Sequence, residues 1–289
     1  MRIVSLLPSA TEIVFAIGAG PELVGVTHEC DYPPEAIRLP KMTASALPMA
    51  SSSAAIDRHV RRALHAGSSL YTLDADLLER LRPDLIITQE LCEVCAVSYS
   101  LVDRAARRLP SDPRILSLEP SSLEDVYSNI LTVGELTSHL PNARELVSGL
   151  RRREAAVRDW TQTANPMRVL VLEWTDPPMS AGHWTPELVE AAGGVPSLAN
   201  PHENSQRLEW DSIALADPDA IIVAPCGYNM NKTREALAEL QQLPQWMRLR
   251  AVREGRVYPV DGNAYVNRPG PRLIDTIEIF ASLLHPEAA

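Results

Sequence analysis

The chain has 289 residues, 45% of them hydrophobic, and its 27 Lys and Arg against 37 Asp and Glu leave a net charge of −10. That length supports two α/β domains of ordinary size, each with its own core. The acidic balance argues against a nucleic-acid surface, which needs a basic stripe, and no run of ~18 apolar residues is present to span a membrane.

In chain order, residues 2–7 predict a strand, and Ser9-Ala10-Thr11-Glu12 reads as a capping box opening a helix that ends at Gly18. Gly18 and Gly20 follow that helix instead of opening one, so they suit a C-cap and turn, not a dinucleotide loop. No apolar stretch of signal-peptide length precedes the first strand. The expectation is therefore a cytoplasmic protein as written, or a periplasmic or extracellular one if the chain is a mature form. A strand at 23–27 runs into His28-Glu29-Cys30-Asp31-Tyr32-Pro33-Pro34, where paired prolines impose an extended loop. Residues 43–53 read as a surface loop, 56–64 and 76–81 as helices, and 85–88 as a buried strand emptying into Gln89-Glu90-Leu91-Cys92-Glu93-Val94-Cys95. A helix at 99–109, a strand at 114–118 and a helix at 123–139 complete a first body.

From Pro141, Ala143, Leu146, Val147, Leu150, Val157 and Trp160 recur at helical spacing. They predict one helix over 141–164, roughly 35 Å long, wet along Arg151, Arg152 and Arg153 and suited to joining two bodies. The pattern then restarts. A strand at 168–173 ends in Trp174-Thr175-Asp176-Pro177-Pro178, and Thr185 caps a helix with Pro186 at its first position. Helices at 211–216 and 232–241, strands at 220–224 and 257–260, a loop at 261–270 and a helix from Pro271 to Leu284 follow. The fold class this predicts is α/β: two Rossmann-like parallel-sheet lobes, 1–139 and 166–289, bridged by a single long helix at 140–165.

Open parallel sheets bind ligands beyond the carboxyl ends of their strands. That rule gathers His28, Glu29 and Cys30 from one strand end and Gln89, Glu90, Cys92 and Cys95 from another. It adds Trp174, His183 and Trp184, then Cys226, then Tyr265 and Arg268. The Cys92-x-x-Cys95 spacing suits half a metal site or a redox pair, with His28 and Cys30 as candidate partners, though packed or ligand-touching thiols are the leading reading. Four cysteines are too few for a disulfide scaffold at this size. Asp261 and Arg268 share a loop and could orient a polar ligand or pair with each other. No Gly-x-Ser-x-Gly, Walker loop or His-Glu-x-x-His occurs, which removes the main support for hydrolase, NTPase and zinc-protease activities.

Several stretches resemble the class III substrate-binding proteins of ABC importers, of the cobalamin-binding type. They are residues 3–12, Asp31-Tyr32-Pro33-Pro34-Glu35-Ala36, Arg82-Pro83-Asp84-Leu85-Ile86-Ile87, residues 217–223 and Arg268-Pro269-Gly270-Pro271-Arg272, in order along nearly the whole chain. The resemblance implies two Rossmann-like lobes joined by a rigid helix, with one ligand in the interlobe cleft and no catalysis. It implies that Trp174 lines a corrinoid (cobalamin-like) or similar planar ligand, that Tyr265 and Arg268 belong to the cleft loop of the second lobe, and that Glu79 and Asp211 dock on an ABC permease. Glu29, Tyr32, Gln89 and Trp184 complete the expected ligand set. The alternative is a cytosolic metal- or tetrapyrrole-handling protein or enzyme, with a metal ion on His28, Cys30, Cys92 and Cys95. Neither nucleic acid nor membrane insertion is expected.

Overall fold

The computed structural model describes residues 1–45, 52–65, 70–89 and 99–286. The chain divides into two compact units: Met1–Ser51, Arg58–Glu119 and Asp125–Ser148 form the first, and Ser52–Asp57, Pro120–Glu124 and Gly149–Ala289 the second. The division falls inside a single helix, Leu140–Thr161, whose Ala143, Val147, Leu150 and Val157 are buried while Arg151, Arg152 and Arg153 are exposed.

In the first unit, β1 (Ile3–Ser5), β2 (Leu23–Val26), β5 (Leu85–Thr88) and β6 (Arg114–Ser117) form a four-stranded parallel sheet in the order β2-β1-β5-β6. Ile3, Val4, Ile86 and Ile87 are fully buried. Each such side chain contributes about 1.5–3 kcal/mol of burial, and apolar residues on successive positions fit a strand covered on both faces. Two further strands, β3 (Thr43–Ser45) and β4 (Tyr71–Leu73), pair antiparallel. They correct the loop expected over 43–53; residues 46–51 of that stretch lie outside the described residues. A three-residue strand is too short to show a period of two, so its pairing had no sequence signal.

The first helix also departs from expectation. It spans Pro8–Ala16 with Leu7 at the N-cap and no side-chain cap; Pro8 suits the first position, where its missing amide costs nothing. Thr11, read as part of a capping box, turns inward instead. Gly18 does adopt the left-handed conformation, at φ 86°.

In the second unit, β7 (Arg168–Thr175), β8 (Pro178–Ser180), β9 (Val195–Pro196), β10 (Gln206–Arg207), β11 (Ala220–Val223) and β12 (Val257–Pro259) form one mixed sheet. The parallel part repeats the first unit: β9 lies beside β7, then β11, then β12. The added strands are antiparallel, β10 on β8 and β8 on β7. Both β8 and β9 use the same edge of β7, since Val169 pairs with β9 and Leu172 with β8 while both pair with β11 on the other side. The amino half of that edge belongs to β9 and the carboxyl half to the β7-β8 hairpin. Pro178 opens β8 at its first residue, a position a strand tolerates.

Both units repeat one device at the amino ends of their first strands. In the first, the Arg2 amide donates to Asp84 Oδ2 at 2.7 Å and the Arg2 guanidinium to the Leu81 carbonyl at 2.7 Å. In the second, the Arg168 amide donates to Asp219 Oδ2 at 2.8 Å and its guanidinium to the Ala216 carbonyl at 3.0 Å. The helices Ala75–Leu81 and Trp210–Ala216 end on left-handed residues, Arg82 at φ 43° and Asp217 at φ 44°. Only the second unit adds Arg250, 3.0 Å from Asp217 and 2.6 Å from Asp219. Burial would raise the Asp219 pKa, but the hydrogen bonds from Arg250 and Arg168 outweigh it and hold the group down at about 2.

Candidate functional site

The carboxyl end of the first sheet is floored with buried hydroxyls. Ser5, Thr11, Thr27, Thr43 and Thr88 are all under 7% exposed. Ser5 Oγ donates to the Leu7 carbonyl and Thr11 Oγ1 to Ser5 Oγ, both at 2.9 Å. Thr11 Oγ1 also lies 3.0 Å from the Cys30 sulfur, so the thiol sits in hydrogen-bond contact with this floor. Cys30 is 2% exposed.

His28 stands beside this floor, half-buried, immediately after β2. Its Nδ1 lies 2.7 Å from Thr43 Oγ1, its own amide donates to the same oxygen at 3.1 Å, and Thr43 Oγ1 is 2.8 Å from Thr27 Oγ1. The ring centroid is 5.7 Å from that of Tyr71. Burial, aided by the Lys41 ammonium, pushes the His28 pKa below its ordinary value, leaving a neutral imidazole at pH 7. Glu29 accepts from the Tyr71 hydroxyl at 3.5 Å. Tyr32 is 45% exposed, and Gln89, next to Thr88 at the end of β5, is 8% exposed. Cys92 and Cys95 lie outside the described residues. Among the described residues no three His, Cys, Asp or Glu side chains form a group that could hold a metal ion.

The carboxyl end of the second sheet is aromatic. Trp174, near the end of β7, donates its indole N–H to the Asp176 carbonyl at 3.2 Å and meets Tyr228 edge to face at 5.3 Å. With its donor satisfied locally, the part-exposed ring offers an apolar face. Under it, Ser53 Oγ lies 2.8 Å from Thr175 Oγ1 and 3.2 Å from the Tyr228 hydroxyl. Burial pushes the Tyr228 phenol above its usual pKa, against the opposing Ser53 hydrogen bond. Neither Ser53 nor Tyr228 carried a sequence signal, because the contact joins residues 175 positions apart.

The loop after β12 contains a turn at Gly262–Val266. Asp261 Oδ1 accepts the Ala264 amide at 2.8 Å and Oδ2 the Met230 amide at 3.1 Å, so this carboxylate fixes two chain starts. Arg268 is 5% exposed and donates to Asn263 at 2.9 Å, and Arg272 sits 5.6 Å from the Tyr265 ring centroid. Trp184 is 8% exposed, with its indole N–H on the Val266 carbonyl at 2.9 Å. His183, stacked on Trp184 at 5.6 Å, holds φ 53° and is kept neutral by burial. Trp184 is the N-cap of the helix Thr185–Ala191, one residue before the expected Thr185, and has no side-chain cap bond. Cys226 is exposed after β11. Glu79 and Asp211 are exposed on the helices Ala75–Leu81 and Trp210–Ala216.

Two repeated α/β units with their chemistry at the strand ends define a two-lobed binding protein. The profile of the family described as periplasmic binding protein matches residues 3–264, and the chain belongs to that family. The fold is that of the class III periplasmic binding proteins. The chain is 22% identical over 288 residues to the vitamin B12-binding protein of Vibrio cholerae serotype O1, covering 96% of this chain and 86% of that one. It is 26% identical over 295 residues to the uncharacterised ABC transporter substrate-binding lipoprotein YvrC of Bacillus subtilis, with 99% and 80% covered. Among solved structures it is similar to the periplasmic heme-binding protein RhuT from Roseiflexus sp. RS-1 in apo form. There the TM-score is 0.74 and the identity 24%, with 100% of this chain and 99% of that one covered. These relatives are named as binding proteins, and no helix among the described residues is long and apolar enough to cross a membrane.

Proposed function

We propose that this chain is a non-catalytic substrate-binding component of an ABC importer and that its ligand is a corrinoid or another tetrapyrrole. The observation that carries the reading is the full-length likeness to proteins whose names specify vitamin B12 and heme, both planar macrocycles around a metal. The part-exposed Trp174 and the exposed Tyr32 are the rings assigned to the macrocycle, with Tyr265, Glu29 and Gln89 contributing at its rim. Arg268 and Trp184, at 5% and 8% exposure, are assigned the smaller share of that contact. Glu79 and Asp211, one exposed carboxylate per lobe, are assigned to permease docking. The relatives' periplasmic and lipoprotein names favour an exported carrier over a cytoplasmic one.

Calorimetric titration of the purified, metal-analysed protein with cobalamin, cobinamide and hemin tests this. Saturable one-to-one binding at micromolar or tighter affinity, about −8 kcal/mol or stronger, is the expected result. Absence of binding to all three overturns the ligand class.

A further inference from the structure

Among the described residues, His28 is the one histidine whose ring is both half-buried and oriented by a side-chain hydrogen bond at the carboxyl end of the first sheet. The Thr43 hydroxyl has one hydrogen and two lone pairs, and three groups surround it: the His28 amide, the His28 Nδ1 and the Thr27 hydroxyl. The amide must donate. One of the two arrangements that satisfy all three has Nδ1–H also donating to Thr43, which donates on to Thr27. That arrangement uses every valence of Thr43 and leaves the lone pair on Nε2, for which no hydrogen-bond partner is present among the described residues.

A histidine that coordinates a metal through one nitrogen has its other N–H fixed by an acceptor, which sets the tautomer and aims the ring. In the first of the two arrangements Thr43 is such an acceptor, anchored by Thr27; the two are 6% and 4% exposed, so the anchor is part of the packed interior. Around the ring lie Tyr71, whose hydroxyl is turned to Glu29, and Lys41, whose ammonium is held by the carbonyls of Cys30 and Ala36 at 3.1 Å each. Among the described residues no carboxylate is paired with the ring. Its chemistry is that of a neutral nitrogen donor, and such donors suit iron and cobalt.

Resting on the tetrapyrrole reading above, we infer that His28 supplies an axial nitrogen, through Nε2, to the metal of a bound metallotetrapyrrole. This narrows the ligand class to macrocycles with an exchangeable axial position, such as an iron porphyrin or a corrinoid lacking its lower base. Coordination exchanges one axial ligand for the imidazole; no electron is transferred, and the displaced water returns to solvent.

Absorption and electron paramagnetic resonance spectra of the protein with ferric hemin or diaquocobinamide test the inference. Wild-type protein should give a nitrogen-ligated spectrum. His28→Gln, which keeps a similar volume, should lose that signature, and added free imidazole should restore it. Affinity should fall about tenfold. Thr43→Val, which leaves His28 in place but removes its anchor, should shift the spectrum toward weaker axial ligation. A His28→Gln complex with an unchanged spectrum and affinity overturns the axial role while leaving tetrapyrrole binding intact. Failure of the wild-type protein to bind either probe overturns the ligand class itself, and circular dichroism of each variant separates these results from misfolding.

Discussion

Each lobe sets a parallel strand beside its first one, but the two strands end in different places. In the first lobe β2 runs alongside β1 to its carboxyl end, pairing Ser5 with Val26, and delivers the loop that carries His28, Glu29 and Tyr32 there. In the second lobe β9 stops after two residues at the amino half of β7, and the hairpin partner β8 occupies the carboxyl half. The same architecture thus ends in a polar floor in one lobe and a wall of Trp174 and Tyr228 in the other. What a strand edge is paired with decides which residues reach the end of the sheet, and a hairpin inserted at one edge is enough to change the chemistry.

The largest effect should come from glycine positions, where the lobes differ in what a side chain would strike. A Cβ on Gly262 would run into the backbone carbonyls of Ala224 and Pro225, which cannot yield, whereas one on Gly25 would meet the flexible Met42 thioether at 2.7 Å. Overpacking costs ~1–3 kcal/mol, so Gly262→Ala should lose about 3 kcal/mol and Gly25→Ala about 1 in urea denaturation. Equal losses would mean that the second lobe's strand ends are no more rigid than the first's.

Next come the aromatic faces. Trp174→Ala should weaken tetrapyrrole binding about tenfold, ~1.4 kcal/mol, and Tyr32→Ala less, since Tyr32 stands 45% exposed. Calorimetry on both variants checks the ranking, and the reverse order would assign the principal ring to the first lobe.

The smallest expected difference lies at the amino ends. Asp219 holds Arg168 and Arg250, Asp84 the Arg2 amide alone among its side-chain bonds described above. Discounted for solvent screening, Asp219→Asn should cost about 1 kcal/mol more than Asp84→Asn. Because the folded pKa of Asp219, about 2, lies below its ordinary 3.8, its contribution is complete above that ordinary value. It is lost as pH falls from there through about 2. Acid denaturation followed from pH 5 to 2 should show the wild type and Asp219→Asn converging; a constant gap would mean that Asp219 stabilises by packing.

Much of this was legible in the sequence. The alternation of elements, the long helix from residue 140 and the strand ends bearing His28, Gln89, Trp174 and Tyr265 all carry local signals of period, capping or punctuation. The antiparallel hairpin was not legible, because β8 has three residues, begins at a proline and owes its existence to an unpaired stretch of β7. Asp261 read as a ligand or ion-pair group, yet its oxygens serve the amides of Ala264 and Met230, the latter 31 positions away. The helix starts one residue before the Ser9 capping box for a local reason that the sequence did contain: proline is well suited to a first helical position, which places Ser9 inside the helix.

The paired left-handed turns leave the two lobes with unequal room for improvement. Arg82 bears the steric penalty of that conformation, and its side chain makes no ion pair among the described residues; a glycine there would relieve the crowding. Asp217 bears the same penalty but anchors Arg250 and Arg168, so glycine would forfeit as much as it relieved. An engineer seeking a hardier biosensor scaffold should therefore work on the first lobe's turn and leave the second untouched.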